Sequence, residues 1–265
     1  MAFAFHHDKD EYFKQQKDNA AEFIHPFVEQ FVKIDSNLKV LEIGCAEGGV
    51  LCSFLEKGAK GVGIELLQAR LDLANHYLSA QIPTEQFTLI NKNIYDINPS
   101  QDLPFLFDLV ILKDVIEHIP QQEKVLAEMK KLLAPGGKIF FGFPPWQMPF
   151  GGHQQICESK ILHLLPYFHL LPRFMYKVVL KMFGEKDSTI EELMDIKSTG
   201  ISLERFERIC KENDYKIVNK KLYLINPIYK YKFKLTPRKQ FGFISAIPYI
   251  RNYCTTCGYY LIEKK

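Results

Sequence analysis

The chemistry this chain could do is concentrated in a few positions. The stretch VLEIGCAEGG, residues 40–49, carries Glu42 near the end of an apolar run and then turns through Gly44, Cys45, Ala46, Gly48 and Gly49. Small residues cost backbone entropy, so a cluster of them marks a tight turn or a place where a ligand comes close to the main chain. Glu65 stands 21 positions after Gly44, at the end of a second apolar segment, where a carboxylate can accept hydrogen bonds from ribose hydroxyls. Two histidines follow later strand candidates: His118 in DVIEHI and His153 in WQMPFGGHQQ. An imidazole there can take a proton near neutral pH. Residues 44–49 also fit G-x-A-x-x-G, a loose dinucleotide fingerprint, so two ligand classes stay open on these residues alone.

Such positions need a scaffold, and the apolar periodicity supplies one. Residues 10–33 read as a helix carrying Phe13, Ala20, Phe23, Phe27 and Phe31. LKVLEI (38–43) is a continuous apolar run, expected of a strand buried on both faces. A short helix over 48–57 follows, then strand 61–65, helix 66–78, strand 87–93 and strand 107–112. A helix over 120–133, stopped by Pro135-Gly136-Gly137, leads into strand 138–143. This alternation predicts a doubly wound parallel α/β sheet.

The rhythm breaks over 144–200, a proline-containing segment with the apolar run 161–183, which reads as a helical lid inserted after the fifth strand. Ser202 then caps a helix bearing Leu203, Phe206, Ile209 and Cys210. Strands at 216–226 and 258–264 form a final antiparallel hairpin around a basic, aromatic insertion, 227–253. The expectation is one domain over 1–265: an N-terminal helical cap (1–37), a core (38–143), the lid (144–200) and the C-terminal helix and hairpin (201–265).

The chain has 265 residues, 47% hydrophobic and 25% charged, enough for a sizeable core. No export signal is read in the N-terminal residues and no apolar window is long enough to span a membrane, so a cytoplasmic protein with six reduced cysteines is expected. The net charge of +3 conceals an excess of +10 between Arg208 and Lys265, where 13 Lys/Arg stand against 3 Asp/Glu. Such an end suits an anionic partner or a solvated surface. Cys254 and Cys257 have the spacing of a metal pair but lack a second pair, so no metal is expected, and His6-His7 reads as a tail.

The order of segments resembles the class I S-adenosylmethionine-dependent methyltransferases over residues 38–144. VLEIGCAEGG resembles that family's first motif, Glu65 its ribose-binding acid, FDLVILKDVIEHI (107–119) its fourth-strand motif, and LLAPGGKIFFGFP (132–144) the approach to its fifth strand. The resemblance implies a seven-stranded, mostly parallel sheet ending in the antiparallel hairpin. It implies that Glu42, Gly44, Cys45, Ala46 and Gly48 surround the methionine part of S-adenosylmethionine. Glu65 and Leu66 would meet the ribose, Asn93 and Ile94 the adenine, and Lys113, Asp114 and Val115 the sulfonium. Ala46 stands where many relatives have glycine, and Asn93 where many have Asp, so its amide oxygen would receive the adenine amino group.

Methyl transfer is an in-line displacement that depends mainly on alignment, and a base is needed when the acceptor is a hydroxyl or a protonated amine. His118 and His153 are the candidate bases, and Trp146, Met148 and Phe150 the candidate wall of the acceptor pocket. The reading is methyl transfer to a small-molecule, glycan or lipid-precursor acceptor, with O-methylation slightly favoured over N or C. The basic end and the 161–183 run would suit a lipid-linked acceptor and peripheral contact with an anionic membrane. The rivals are a non-catalytic cofactor-binding partner protein, a nicotinamide oxidoreductase and a nucleic-acid methyltransferase. Asn226-Pro227-Ile228-Tyr229 has the look of a nucleic-acid motif but follows the sixth strand, not the fourth, which argues against the last.

Overall fold

A computed structural model describes residues 8–265, so the His6-His7 pair lies outside the described residues. Eight strands form one sheet in the order β3-β2-β1-β4-β5-β8-β6-β7. They are β1 (Lys39–Ile43), β2 (Lys60–Glu65), β3 (Phe87–Asn91), β4 (Phe107–Lys113), β5 (Leu133–Phe143), β6 (Tyr215–Ile225), β7 (Arg238–Lys239) and β8 (Cys257–Lys264). The first five pair in parallel, and β8 runs antiparallel between β5 and β6. The expected hairpin is therefore present. The extra strand is β7, two residues of the basic insertion paired with the end of β6.

The apolar runs are continuous because successive side chains point into different cores. Val40, Leu109, Ile111, Phe140, Tyr259 and Leu261 face one core, while Leu41, Val110, Leu112, Phe141, Tyr260 and Ile262 face the other. The first core is closed by helix α1 (Lys9–Asn19), its continuation to Val28, and helix α2 (Gly49–Leu55). The second is closed by α4 (Gln122–Met129) and α8 (Leu203–Glu212), while α3 (Gln68–Ser79), following β2, packs Leu78 and Tyr77 into the first. Ser202 caps α8 as expected, its Oγ accepting from the Arg205 N–H at 3.1 Å.

Several boundaries differ from the sequence reading. The N-terminal helical segment ends at Val28, so Phe31 is an exposed turn residue. It passes through a π turn at Ala20–Ile24 just before Pro26, whose missing N–H and bulky ring a regular α-turn would not accommodate. Helix α4 stops at Met129, and Pro135-Gly136-Gly137 lie within β5, where the pairing with β4 shifts register between Phe107 and Leu109. The segment after β5 folds as three helices, α5 (Lys160–Leu164), α6 (Arg173–Met182) and α7 (Asp187–Thr199). They surround a small core of their own, including Phe168, Tyr176, Leu180, Ile190 and Leu193. The sequence reading contained no helix at α7.

One glycine fixes how α1 meets the rest. A methyl at Gly49 would lie 2.5 Å from the Phe13 carbonyl oxygen and 3.2 Å from the Lys17 nitrogen, so α1 rests directly on the backbone at the start of α2. Phe13 also stacks on Tyr77 of α3 with ring centroids 4.6 Å apart. Gly49→Ala should therefore destabilise the protein by about 1–3 kcal/mol in urea unfolding, the usual cost of overpacking. Gly242→Ala, where a methyl meets nothing within 4 Å, should leave the transition in place.

Candidate active site

Both faces of the sheet are filled, so the polar groups gather at the carboxyl ends of β1, β2 and β4. The chain leaving β1 turns through left-handed backbone at Gly44 (φ 70°), Ala46 (φ 49°) and Gly48 (φ 82°). At Gly44 a Cβ would also lie 2.5 Å from Val115 Cγ2, so the loop and the end of β4 are in close contact. Ala46 adopts the same kind of backbone with a side chain, a conformation that costs an L-residue roughly 1–2 kcal/mol.

Two acids flank this loop and are held differently. Glu65 is buried, and its carboxylate accepts from the backbone N–H groups of Ala46 (3.0 Å), Leu66 (2.8 Å) and Leu67 (3.1 Å). These bonds fix the carboxylate against the loop. Glu42 is also buried, but Oε2 accepts from the Leu51 N–H at 2.8 Å. Burial pushes its carboxyl up to about 8, with Glu65 adding to the rise and the Leu51 N–H and Lys113 opposing it. Cys45 lies beside them as a buried thiol, pushed well above its ordinary value by burial and by both acids.

At the end of β4, Lys113 and Asp114 form an ion pair at 2.6 Å. Burial alone would lower the Lys113 ammonium, but Asp114 and Tyr12 outweigh it and hold it up at about 12. Asp114 keeps 42% of its side chain exposed and sits at φ 55°, a conformation that favours glycine or Asn over most residues. Helix α1 lies across this group. Tyr12, Phe13 and Gln16 together with Glu42, Glu47 and Lys113 enclose a space of only about 30 Å³. Glu47 is buried, paired to Lys9 through Oε1 at 2.8 Å, and its Oε2 has no partner.

Beyond Asp114 the space widens into a cleft of about 510 Å³. Both candidate bases line it. The His118 and His153 rings meet at 4.9 Å and 87°. Burial pushes His153 down to about 4, helped by His118, and lowers His118 as well, so both rings are neutral at pH 7. His153 has φ 55°, a second left-handed residue in the cleft. Between β4 and His118 lies Glu117, buried, with neither carboxylate oxygen hydrogen-bonded. Glu117, His118 and His153 bring three donor atoms within 4.8 Å of one another, an arrangement that could hold a cation.

The expected site residues thus divide into groups. Glu42, Gly44, Cys45, Ala46, Lys113 and Asp114 share the enclosed space, with Gly48 at the head of α2 and Val115 packed on Gly44. Leu66 is exposed just past Glu65. Asn93 caps the short turn Ile94–Asp96, and its side-chain oxygen, expected to receive an amino group, already accepts from the Tyr95 N–H at 3.0 Å. Met148 and Phe150 line the wider cleft with His153, whereas Trp146 does not. Its ring is pressed against Gly200 and lies edge-on to His169 at 4.7 Å.

The sequence reading missed Tyr12, Glu117 and the cleft wall supplied by the basic insertion. Ile228, Tyr229, Lys232, Phe233 and Leu235 line the cleft, and burial beside Lys113 pushes the Lys232 ammonium down to about 8. The available signal was the absence of any acid from 227–253. That marks a specialised segment but does not say that it folds back over the site.

Comparison with known proteins adds a family. One described as "Methyltransferase domain" matches residues 12–165. Ubiquinone biosynthesis O-methyltransferase of Chromobacterium violaceum is 29% identical over 138 residues, 51% of this chain and 55% of that protein. The enzyme of the same name from Coxiella burnetii is 29% identical over 183 residues, 67% of this chain and 74% of the relative. The chain spans about half the length of the first of these. A magnesium protoporphyrin IX methyltransferase from Synechocystis, solved with bound SAH, superposes with a TM-score of 0.56 at 12% identity, covering 97% of this chain and 86% of that one. At that identity the likeness is one of fold.

The Glu42 environment has a measurable consequence. The folded carboxyl holds its proton up to about 8, against an ordinary 4.5, so folding binds a proton and stability falls as pH rises between those values. Glu42→Gln keeps an acceptor for Leu51 and removes the titration. Urea unfolding at pH 5 and pH 8 should show the variant gaining on the wild type at the higher pH, with a ceiling of about 5 kcal/mol. A difference independent of pH would mean that Glu42 is ionised in the folded protein.

Proposed function

Because the chain belongs to the methyltransferase-domain family, we propose that it transfers a methyl group from S-adenosylmethionine to a hydroxyl of a small, largely apolar acceptor, a lipid precursor in kind. The observation that carries this reading is the adjacency of two spaces at the end of β4. The enclosed one is bordered by Glu42, Glu47 and the loop, and the wide one holds His118 and His153, with Asp114 and Tyr12 bordering both.

The residues present suit that cofactor. It presents hydroxyl and ammonium donors and a positive sulfur, and the site presents acceptors: the fixed carboxylate of Glu65, Glu42, and the unpartnered buried Oε2 of Glu47. When bound, S-adenosylmethionine supplies a methyl carbon already activated by positive sulfur. Glu65 is the ribose acceptor in this reading. Gly44, Cys45, Ala46 and Gly48 carry the loop backbone against the ligand, and Leu66, Asn93 and Ile94 border its far end. Lys113, Asp114 and Val115 flank the reacting centre. At about 30 Å³ the enclosed space is smaller than a nucleoside, and in this reading α1 moves aside to admit the cofactor and then closes on it. The α5–α7 segment serves as the lid of the acceptor cleft.

On the acceptor side, Met148, Phe150, Ile228 and Leu235 supply apolar contact and exclude water, in a cleft of ordinary ligand size. His153, neutral and buried, takes the proton from the acceptor hydroxyl, and His118 orients it from 4.9 Å. Methylation at oxygen leaves one proton, which the neutral His153 imidazole accepts in transit and, titrating near 4, passes on to solvent. The names of the relatives, ubiquinone biosynthesis O-methyltransferases, are consistent in kind with an O-methylated small molecule.

Calorimetric titration with S-adenosylmethionine, S-adenosylhomocysteine and NADH tests the cofactor. Both sulfur compounds should bind and NADH should not, and Glu65→Ala should weaken binding at least tenfold, the loss of charge-assisted hydrogen bonds to two hydroxyls. Binding of NADH alone would overturn the reading. For the base, kcat/KM with a phenolic acceptor panel should stay level from pH 5 to 8, because His153 titrates near 4. His153→Gln should lower kcat by roughly 10²–10⁴. A profile that falls below pH 6.5 in the wild type and is unchanged by the substitution would remove His153 from that role.

A further inference from the structure

The basic insertion does more than wall the cleft. Residues 227–253 contain Lys230, Lys232, Lys234, Arg238, Lys239 and Arg251 and no Asp or Glu. Three of the six have defined tasks. Lys230 pairs with Glu22, Arg251 bridges Glu204 and Glu207 at 2.9 Å each, and Lys232 borders the cleft near Asp114. Lys234, Arg238 and Lys239 form no ion pair among the described residues and are exposed.

The same segment displays large apolar side chains to solvent. Phe243 is 71% exposed, Tyr249 70%, Ile250 56% and Phe241 51%, with Phe241 and Phe243 stacked at 5.8 Å. A folded protein rarely leaves aromatic residues in such a group beside unpaired cations unless the surface is used. Residues of the same segment also reach the mouth of the cleft. Phe233, Leu235 and, from α5, Leu164 are exposed and line the cleft at once. The two segments are tied together where Tyr167 Oη donates to the Tyr253 carbonyl at 3.0 Å.

We propose that the 227–253 insertion docks this protein on an anionic phospholipid surface and presents the mouth of the acceptor cleft to the bilayer. Phe241, Phe243, Tyr249 and Ile250 enter the boundary between headgroups and acyl chains, and Lys234, Arg238 and Lys239 meet the lipid phosphates. No helix among the described residues is long and apolar enough to cross a membrane, so the contact is a lateral one. An apolar acceptor then passes from lipid to the wall formed by Leu164, Phe233 and Leu235 without crossing water. This rests on the reading of the cleft as an acceptor site, and it adds the side from which the acceptor arrives.

Sedimentation with vesicles of phosphatidylcholine containing about one third phosphatidylglycerol, and of phosphatidylcholine alone, tests it. The wild type should pellet with the mixed vesicles and bind pure phosphatidylcholine at least tenfold more weakly. Added salt should weaken the mixed-vesicle binding. The triple variant K234E/R238E/K239E should lose at least tenfold in affinity for the mixed vesicles. F243A/I250A should also bind more weakly while keeping the salt dependence. Titration of each variant with S-adenosylhomocysteine should match the wild type, showing an intact fold and cofactor site. Wild type that stays in the supernatant, or binds both vesicle types alike, or is insensitive to the charge reversal, would overturn the docking surface while leaving the cofactor reading standing. Vesicle binding without S-adenosylhomocysteine binding would do the reverse.

Discussion

Filling both faces of the sheet is the constraint from which the rest of the molecule follows. Val40 and Leu41, Leu109 and Val110, Phe140 and Phe141 each send neighbouring side chains into opposite cores. Nothing polar can be placed along those strands without a partner. The carboxyl ends of β1, β2 and β4 are where the chain leaves the cores, and there backbone N–H groups become available. Glu65 takes three of them, and one is from Ala46, in the loop leaving β1. The acid at the end of β2 therefore holds the loop after β1 in its left-handed turns. Scaffold and site share those hydrogen bonds.

The second consequence is electrostatic. Glu42 and Glu65 are buried close together, and one acquires three backbone donors while the other is bonded by the Leu51 N–H. Glu42 keeps its proton because burial outweighs its single backbone donor. Lys113 lies close enough to Glu42 to oppose this protonation but is committed to Asp114 at 2.6 Å. Lys232 approaches from the other end of the chain and is pushed down by burial and by Lys113. Asp114, which borders both spaces, thus lies between Lys113 on one side and Lys232 on the other.

How much of this was legible in the sequence follows from how local each signal is. The strands of the parallel core were readable because burial on both faces leaves unbroken apolar runs, and α8 because Ser202 and the 203–206–209–210 spacing agree. The loop and Glu65 were readable because small residues and an acid recur at a fixed distance in this class of fold. Helix α7 was not placed although Ile190, Leu193 and Met194 have helical spacing, since the reading of the lid centred on the apolar run 161–183 upstream. Trp146 looked like a pocket wall from its position, but Gly200 leaves a gap into which its ring packs. No local pattern announces that kind of partner, 54 residues away in the chain.

The acceptor side was the least legible for the same reason. Its wall is assembled from α1, the turn after β4, the segment after β5 and the insertion between β6 and β8. Each of these is short, irregular or basic, and none has a period that points inward. The cofactor side is instead made by strand ends whose positions the sheet dictates. A protein built this way can change its acceptor by altering the two decorations while the sheet and the loop remain constrained by their shared hydrogen bonds. If the cleft is the acceptor site proposed above, the placement of Lys232 and Leu235 by one decoration, and of Phe150 and His153 by the other, puts specificity on the parts of the chain that the sheet does not constrain.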